Sequence, residues 1–158
     1  MKGSKGFTLI ELVVVIVILG ILSVTAAPRF LNLQSDARIA TLQGAKGAVE
    51  GANGIVYGKA AIEGLESNPT GKLDLGGDKP VDLVYGNLKM EKAYLEQAMN
   101  TDMVVQNNYD GDIAYGVYIY NPPMVALEDI RPAKCFLFID NSESDKGELE
   151  FELETDGC

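Results

Sequence analysis

The stretch Phe7–Ala27, F-T-L-I-E-L-V-V-V-I-V-I-L-G-I-L-S-V-T-A-A, decides how the rest of the chain is read. Its 21 residues carry one charge, Glu11. At about 1.5 Å per helical residue it reaches roughly 31 Å, enough to cross the hydrocarbon core of a bilayer. A surface helix of a soluble domain would show polar residues every few positions, and this run shows almost none. Lys2 and Lys5 precede it with no acid before Glu11. That asymmetry predicts a cytoplasmic N-terminus and an exported remainder.

Glu11 is the anomaly. An acid at the centre of a bilayer costs about 2.5–3.5 kcal/mol on insertion scales, less near a helix end. An intramembrane acid therefore reads as functional, with a partner. Cleavage between Gly6 and Phe7 would create an ammonium at Phe7, four residues away on the same helix face. The bland reading is a carboxylate that snorkels to the headgroups or stays protonated. Thr25-Ala26-Ala27 also mimics a secretory cleavage site. An apolar run longer than the usual 7–15 residues, the Glu11 interruption and Pro28 directly after the cut all oppose that reading.

Lys5-Gly6-Phe7-Thr8-Leu9-Ile10-Glu11 followed by the apolar run resembles the class III signal of type IV pilins, a likeness that extends to Gly20 and Pro28. Ala27-Pro28-Arg29-Phe30-Leu31-Asn32-Leu33-Gln34 and Gly54-Ile55-Val56-Tyr57-Gly58-Lys59-Ala60-Ala61 resemble the mannose-sensitive haemagglutinin (MSHA) branch, up to about residue 62. The resemblance implies cleavage after Gly6 by a prepilin peptidase and N-methylation of Phe7. It further implies passage through the inner membrane, with the domain periplasmic, and homopolymerisation into an extracellular filament. Glu11, Gly20 and Pro28 become the implied assembly positions. Adhesion to a host or abiotic surface follows from the same analogy. The alternative roles are a type II secretion pseudopilin or a minor, tip-located pilin.

The 158 residues carry a formal charge of −10, and −12 once residues 1–6 are removed. An acidic domain repels phosphate backbones, so no nucleic-acid partner is expected. There is no His, which removes the usual general base and metal ligand. No phosphate loop or Gly-x-Ser-x-Gly is present, so the chain reads as neither an enzyme nor a cofactor carrier. Asp140–Asp145 gathers oxygen ligands and invites a calcium reading. It lacks the EF-hand spacing, so a hydrophilic hairpin loop is preferred and no metal is assigned.

The predicted architecture is α+β: one long N-terminal helix packed on an antiparallel sheet, the layout the resemblance implies. Four segments follow: leader 1–6, transmembrane and assembly helix 7–27, amphipathic half 28–62, and a globular region 63–158. Pro28 and Gly20 are weak points where the helix is expected to kink or unwind. Beyond them a face of Phe30, Leu33, Ala37, Ala40, Gly44, Ala48, Ala52 and Ile55 is predicted to turn inward. Gly44, Gly47, Gly51, Gly54 and Gly58 are predicted to permit close approach of a sheet or neighbour. The continuous helix, Phe7 to about Ala61, would be about 80 Å long.

Residues Glu63–Asp82 read as loop, with a short strand at Leu73–Leu75. A helix is predicted over Lys89–Met99, a turn cluster over Asn107–Asp112, and strands over Ile113–Tyr120, Lys134–Asp140 and Glu148–Glu154. Tyr115, Tyr118 and Tyr120 are assigned to packing. Cys135 and Cys158, the two cysteines of an exported chain, are expected to form a disulfide. A hairpin centred near Ser144 leaves Cys158 too far along its strand to reach Cys135. The tail must therefore turn back at Thr155-Asp156-Gly157.

The mature chain is expected to begin at Phe7 with one extra methyl on its amine. N-terminal mass spectrometry checks this, and Pro28 found first would remove the anchor reading.

Overall fold

The computed structural model describes residues 7–77, 79–110, 113–121, 126–142 and 144–158. Expectations at Lys2, Lys5, Gly6, Gly111, Asp112, Pro122, Pro123 and Glu143 lie outside the described residues, as do side-chain expectations at Pro28, Phe30 and Tyr115. The fold is α+β: a long N-terminal helix that begins as an apolar run, followed by antiparallel sheet. Helix α1 spans Leu9–Ile62. The chain forms two compact units, Met1–Ala37 and Arg38–Cys158, the division falling within α1. The helical backbone includes Gly20 and Pro28, so the expected unwinding between them is not seen. The Ser23 hydroxyl donates to the Leu19 carbonyl (2.7 Å), and the Thr25 hydroxyl donates to those of Ile21 and Leu22. These bonds satisfy hydroxyls that have no polar neighbour on an apolar helix.

In the unit Arg38–Cys158, strands β1 (Gly71–Leu73), β2 (Val81–Val84) and β3 (Asn87–Leu88) form a three-stranded antiparallel sheet. Helix α2 (Lys92–Ala98) leads to β4 (Val104–Asp110) and β5 (Ile113–Tyr120). Helix α3 (Leu127–Ala133) precedes β6 (Phe136–Asp140) and β7 (Glu150–Glu154). The second sheet has the order β4-β5-β6-β7, antiparallel throughout.

One core cluster unites the second half of α1 with both sheets. Leu42, Val49, Val56 and Ala60 of α1 share it with Leu73, Leu83 and Leu88 of the smaller sheet and Val117, Leu137 and Ile139 of the larger. This corrects the predicted inward face. Leu33 and Ile55 are 62% and 76% exposed, Ala40 and Ala48 are exposed, and among the described side chains only Ala52 is common to both faces. A Cβ built at Gly44, Gly47, Gly51, Gly54 or Gly58 meets nothing within 4 Å, so the glycine stripe backs onto no sheet within the subunit. The physical reason is side-chain area. Leu42, Val49 and Val56 bury far more apolar surface than glycines do, so they win the inward position.

From Gly116 to Tyr120, strand β5 is buried on both faces. Val117 and Ile119 join the main core, while Tyr118 and Tyr120 join Ile130 of α3 and Phe136 in a second cluster. A doubly covered strand reads as an unbroken apolar run, as Ile113–Tyr120 does. Arg131 of α3 donates to the Tyr118 hydroxyl (2.6 Å) and lies over the Tyr118, Phe136 and Phe138 rings.

Four elements, β2, β3, β4 and α3, escaped the sequence reading. Strand β4 occupies most of the predicted Asn107–Asp112 turn cluster, because its polar side chains have structural partners. Asn107 Oδ1 accepts the Lys92 backbone N–H (2.6 Å), and Gln106 Oε1 accepts the Tyr120 hydroxyl (2.8 Å). The β2–β3 hairpin and α3 were also unforeseen, being too short for a periodic signal. The predicted helix over Lys89–Met99 contracts to α2.

Asn141 is the buried polar hub, 2% exposed. Its Oδ1 accepts the Met90 N–H (3.2 Å), and its Nδ2 donates to the carbonyls of Leu88 (3.0 Å) and Gly147 (3.3 Å). It thus ties the chain leaving the smaller sheet to the β6–β7 connection. Tyr94 of α2 donates to Asp82 Oδ2 (2.9 Å), and burial followed by this carboxylate pushes its phenol up to about 12.

Leu42→Ala is expected to destabilise the fold by about 2–5 kcal/mol, whereas Ile55→Ala should stay within about 0.5 kcal/mol of the parent. Chemical denaturation of the two variants checks which face of α1 is buried.

Candidate functional site

The first unit offers a helix with nothing of its own to bury against. From Leu9 to Ala26 the mean hydropathy is 2.8 and none of the span is buried, so it is long and apolar enough to cross a membrane. Phe7 is 92% exposed, and Leu9 to Val24 present apolar side chains around the whole circumference.

The N-terminus of α1 is closed by a reciprocal cap. Thr8 immediately precedes the helix and Glu11 is its third residue. Glu11 Oε2 accepts both the Thr8 backbone N–H (2.8 Å) and the Thr8 hydroxyl (2.8 Å), while the Glu11 N–H donates to Thr8 Oγ1 (3.3 Å). This is the capping box, in which side chains at the cap and third positions satisfy each other's orphan backbone donors. A negative charge in the first turn also complements the helix dipole. Glu11 therefore has a partner within its own chain, and it is Thr8. The Thr-x-x-Glu spacing before an apolar run carries this signal, and the sequence reading passed over it in favour of the Phe7 amine. Gly20 has open space at its Cβ position. Pro28 lies within α1, its helical backbone continuous with its neighbours.

At the other end of the chain Cys135 and Cys158 are disulfide-bonded, with Cα atoms 4.8 Å apart. Phe136 pairs with Glu154 and Leu137 with Leu153, so the hairpin register is shifted from the one expected, which set Cys135 opposite Leu153. The tail does reverse. The Cys158 N–H donates to the Thr155 carbonyl (3.1 Å) and the Gly157 N–H to that of Lys134 (2.8 Å). A side chain at Gly157 would collide with the Ala133 carbonyl, so the return path requires glycine. The Lys134–Asp156 ion pair (3.8 Å) flanks the bridge.

In the Asp140–Asp145 loop, Asp140 and Ser144 direct side-chain oxygens at their own chain. Asp140 accepts the Ser142 N–H (2.8 Å) and hydroxyl (3.0 Å), Ser144 Oγ accepts the N–H groups of Lys146 and Glu148, and the Asn141 amide is occupied as described. Among the described residues no group of three or more His, Cys, Asp or Glu side chains is placed to hold a metal ion.

Residues 1–27 match the family model described as the prokaryotic N-terminal methylation motif. The chain is also 42% identical over 72 residues to the type IV narrow pilus major component PilA5 of Thermus thermophilus. Both likenesses support a type IV pilin. The second covers 43% of this chain and 62% of the relative, so the chain spans about three-fifths of that pilin's length. No solved structure matches.

Reduction of the Cys135–Cys158 bridge, which closes a separation of 23 residues, is expected to lower stability by about 3 kcal/mol in the chain-entropy model. Thermal melts with and without a phosphine reductant check this. Two free thiols in the denatured, unreduced chain would contradict the bond.

Proposed function

We propose that this chain is the precursor of a structural subunit of a type IV pilus, of the MSHA-like branch and the major component of its filament. A prepilin peptidase cuts after Gly6, Phe7 is N-methylated, and the subunit waits in the inner membrane with its domain in the periplasm. It then polymerises with copies of itself through the first half of α1. The extracellular filament serves attachment to a surface. The chain is a substrate of processing enzymes and a building block, not a catalyst.

The observation that carries this reading is the unburied apolar helix that lies within the residues matched to the methylation motif. Such a surface is tolerable only in lipid or against other copies of itself. The capping box refines the part played by Glu11. In the single subunit its carboxylate is satisfied by Thr8, which lowers the cost of holding a charge near the membrane surface. In the filament the same carboxylate is available to the methylated Phe7 amine of a neighbour, so it fixes register as well as adding attraction. Gly20 and Pro28 serve the packing of neighbouring helices in that assembly.

Glu11→Ala is expected to give a subunit that inserts and folds but yields few or no pili. Electron microscopy of pilus number against membrane-fraction immunoblots measures the split. Normal pilus yield would show that the carboxylate does no more than cap its own helix. Immunogold labelling along the filament, rather than at its tip alone, is expected for a major subunit.

A further inference from the structure

A cleft of about 510 Å³ opens in the unit Arg38–Cys158, between the outer side of α1, the β2–β3 turn and the β6–β7 connection. Its aromatic walls are Tyr57 and Tyr85, and its charged groups are Glu50, Glu66, Glu148 and Lys146. The volume falls in the range of small-molecule sites, about 300–1,000 Å³.

The cleft is rich in acceptors and poor in free donors. Its two amides are committed to the fold. Asn53 Nδ2 donates to Asn87 Oδ1 (2.8 Å) and Asn53 Oδ1 accepts the Leu88 N–H (2.9 Å), while Asn87 Nδ2 serves the carbonyls of Tyr85 and Lys146. Glu66 Oε2, in contrast, is buried without a hydrogen-bond partner among the described residues. A carboxylate oxygen with no protein partner keeps its full capacity to accept a hydrogen bond. Glu50 is paired with Lys46 (3.9 Å), which leaves Glu66 and Glu148 against the Lys146 ammonium, a balance that favours a cation over an anion.

Backbone geometry points to the same place. Tyr85 has φ of 47° and Gly86 has φ of 75°, both left-handed, at the centre of the β2–β3 turn. Such turns favour Asn-Gly or Asp-Gly, and a tyrosine in the first position is strained. A Cβ at Gly86 would lie 2.8 Å from the Glu66 Cα and 3.1 Å from the Tyr57 ring, so the turn packs closely on the Glu66 backbone and the Tyr57 ring. The fold thus holds an aromatic side chain at the cleft where a smaller polar residue would be less strained.

We propose that this cleft binds an alkylammonium or guanidinium cation, its charge on the Glu66 carboxylate and its carbon stem between Tyr57 and Tyr85. Tyrosine faces attract such cations, and the carbon stem covers the apolar ring surface. The cation comes from a free polyamine or from a lysine or arginine side chain of a second copy of this chain. The inference does not depend on filament formation.

The test is titration of the full ¹⁵N-labelled chain, in an uncharged polyoxyethylene detergent free of sugar, with cadaverine. Saturable shifts are expected at the Gly54, Glu66 and Gly86 amides, with a Kd of about 1 mM that weakens as salt is added. Glu66→Gln should weaken binding by about tenfold or more. Tyr85→Asn should also lose it, while melting at or above the parent temperature because Asn suits the turn, which separates lost binding from lost folding. If the same amides shift with chain concentration alone and cadaverine reverses this, the cation is a side chain of a second copy. If they do not, it is a free amine. Absence of saturable shifts, unchanged affinity in Glu66→Gln, or shifts with maltose but not with cadaverine would overturn the proposal.

Discussion

Burial of one stripe of α1, running through Leu42, Val49, Val56 and Ala60, is the contact on which the domain depends. The smaller sheet has strands of two to four residues and could not stand by itself. The larger sheet shares no hydrogen-bonded ladder with it. Each is held because its apolar face meets the same helical stripe. The helix gains equally, since the five glycines from Gly44 to Gly58 each cost about 1 kcal/mol relative to alanine and packing must offset that deficit.

Around this contact the irregular parts of the chain are pinned by a few specific bonds. Asn141, buried with its amide fully engaged, joins the exit of the smaller sheet to the β6–β7 connection. Removing it would strand one N–H and two carbonyls inside the domain, and each such orphan costs about 1–3 kcal/mol. The disulfide fastens the C-terminal tail beside the start of β6, with Gly157 allowing the chain to pass tightly under Ala133. Arg131, stacked on three aromatic rings and paired with Glu152 (3.6 Å), closes the far side of the larger sheet.

The first unit follows the opposite logic. Its helix exposes apolar side chains on every side, so its stability and its role both lie with what surrounds it. Backbone groups within it are satisfied internally, and Ser23 and Thr25 bond back to the same helix. The Thr8–Glu11 cap completes this self-sufficiency at the N-terminal end. A helix so closed is long and apolar enough to cross a membrane as a single span.

The sequence by itself determined the features that local pattern encodes. The apolar run of Phe7–Ala27, the methylation motif, the helix to Ile62, the strand Ile113–Tyr120 and the alternation of Glu148–Glu154 were legible because each repeats one physical choice over many residues. The pairing of Cys135 with Cys158 was legible because only two cysteines exist. The tertiary structure alone decided which face of α1 is inward, since Leu42–Val49–Val56 and Leu33–Ala48–Ile55 both have helical spacing and the choice rests on total area buried. It alone turned Asn107 and Gln106 into strand residues, because their partners, Lys92 and Tyr120, are distant in the chain. It alone brought Tyr57, Glu66 and Tyr85 to one cleft. Short elements and polar contacts are set by partners that no window of sequence contains, whereas long periodic segments are set by the solvent they must face.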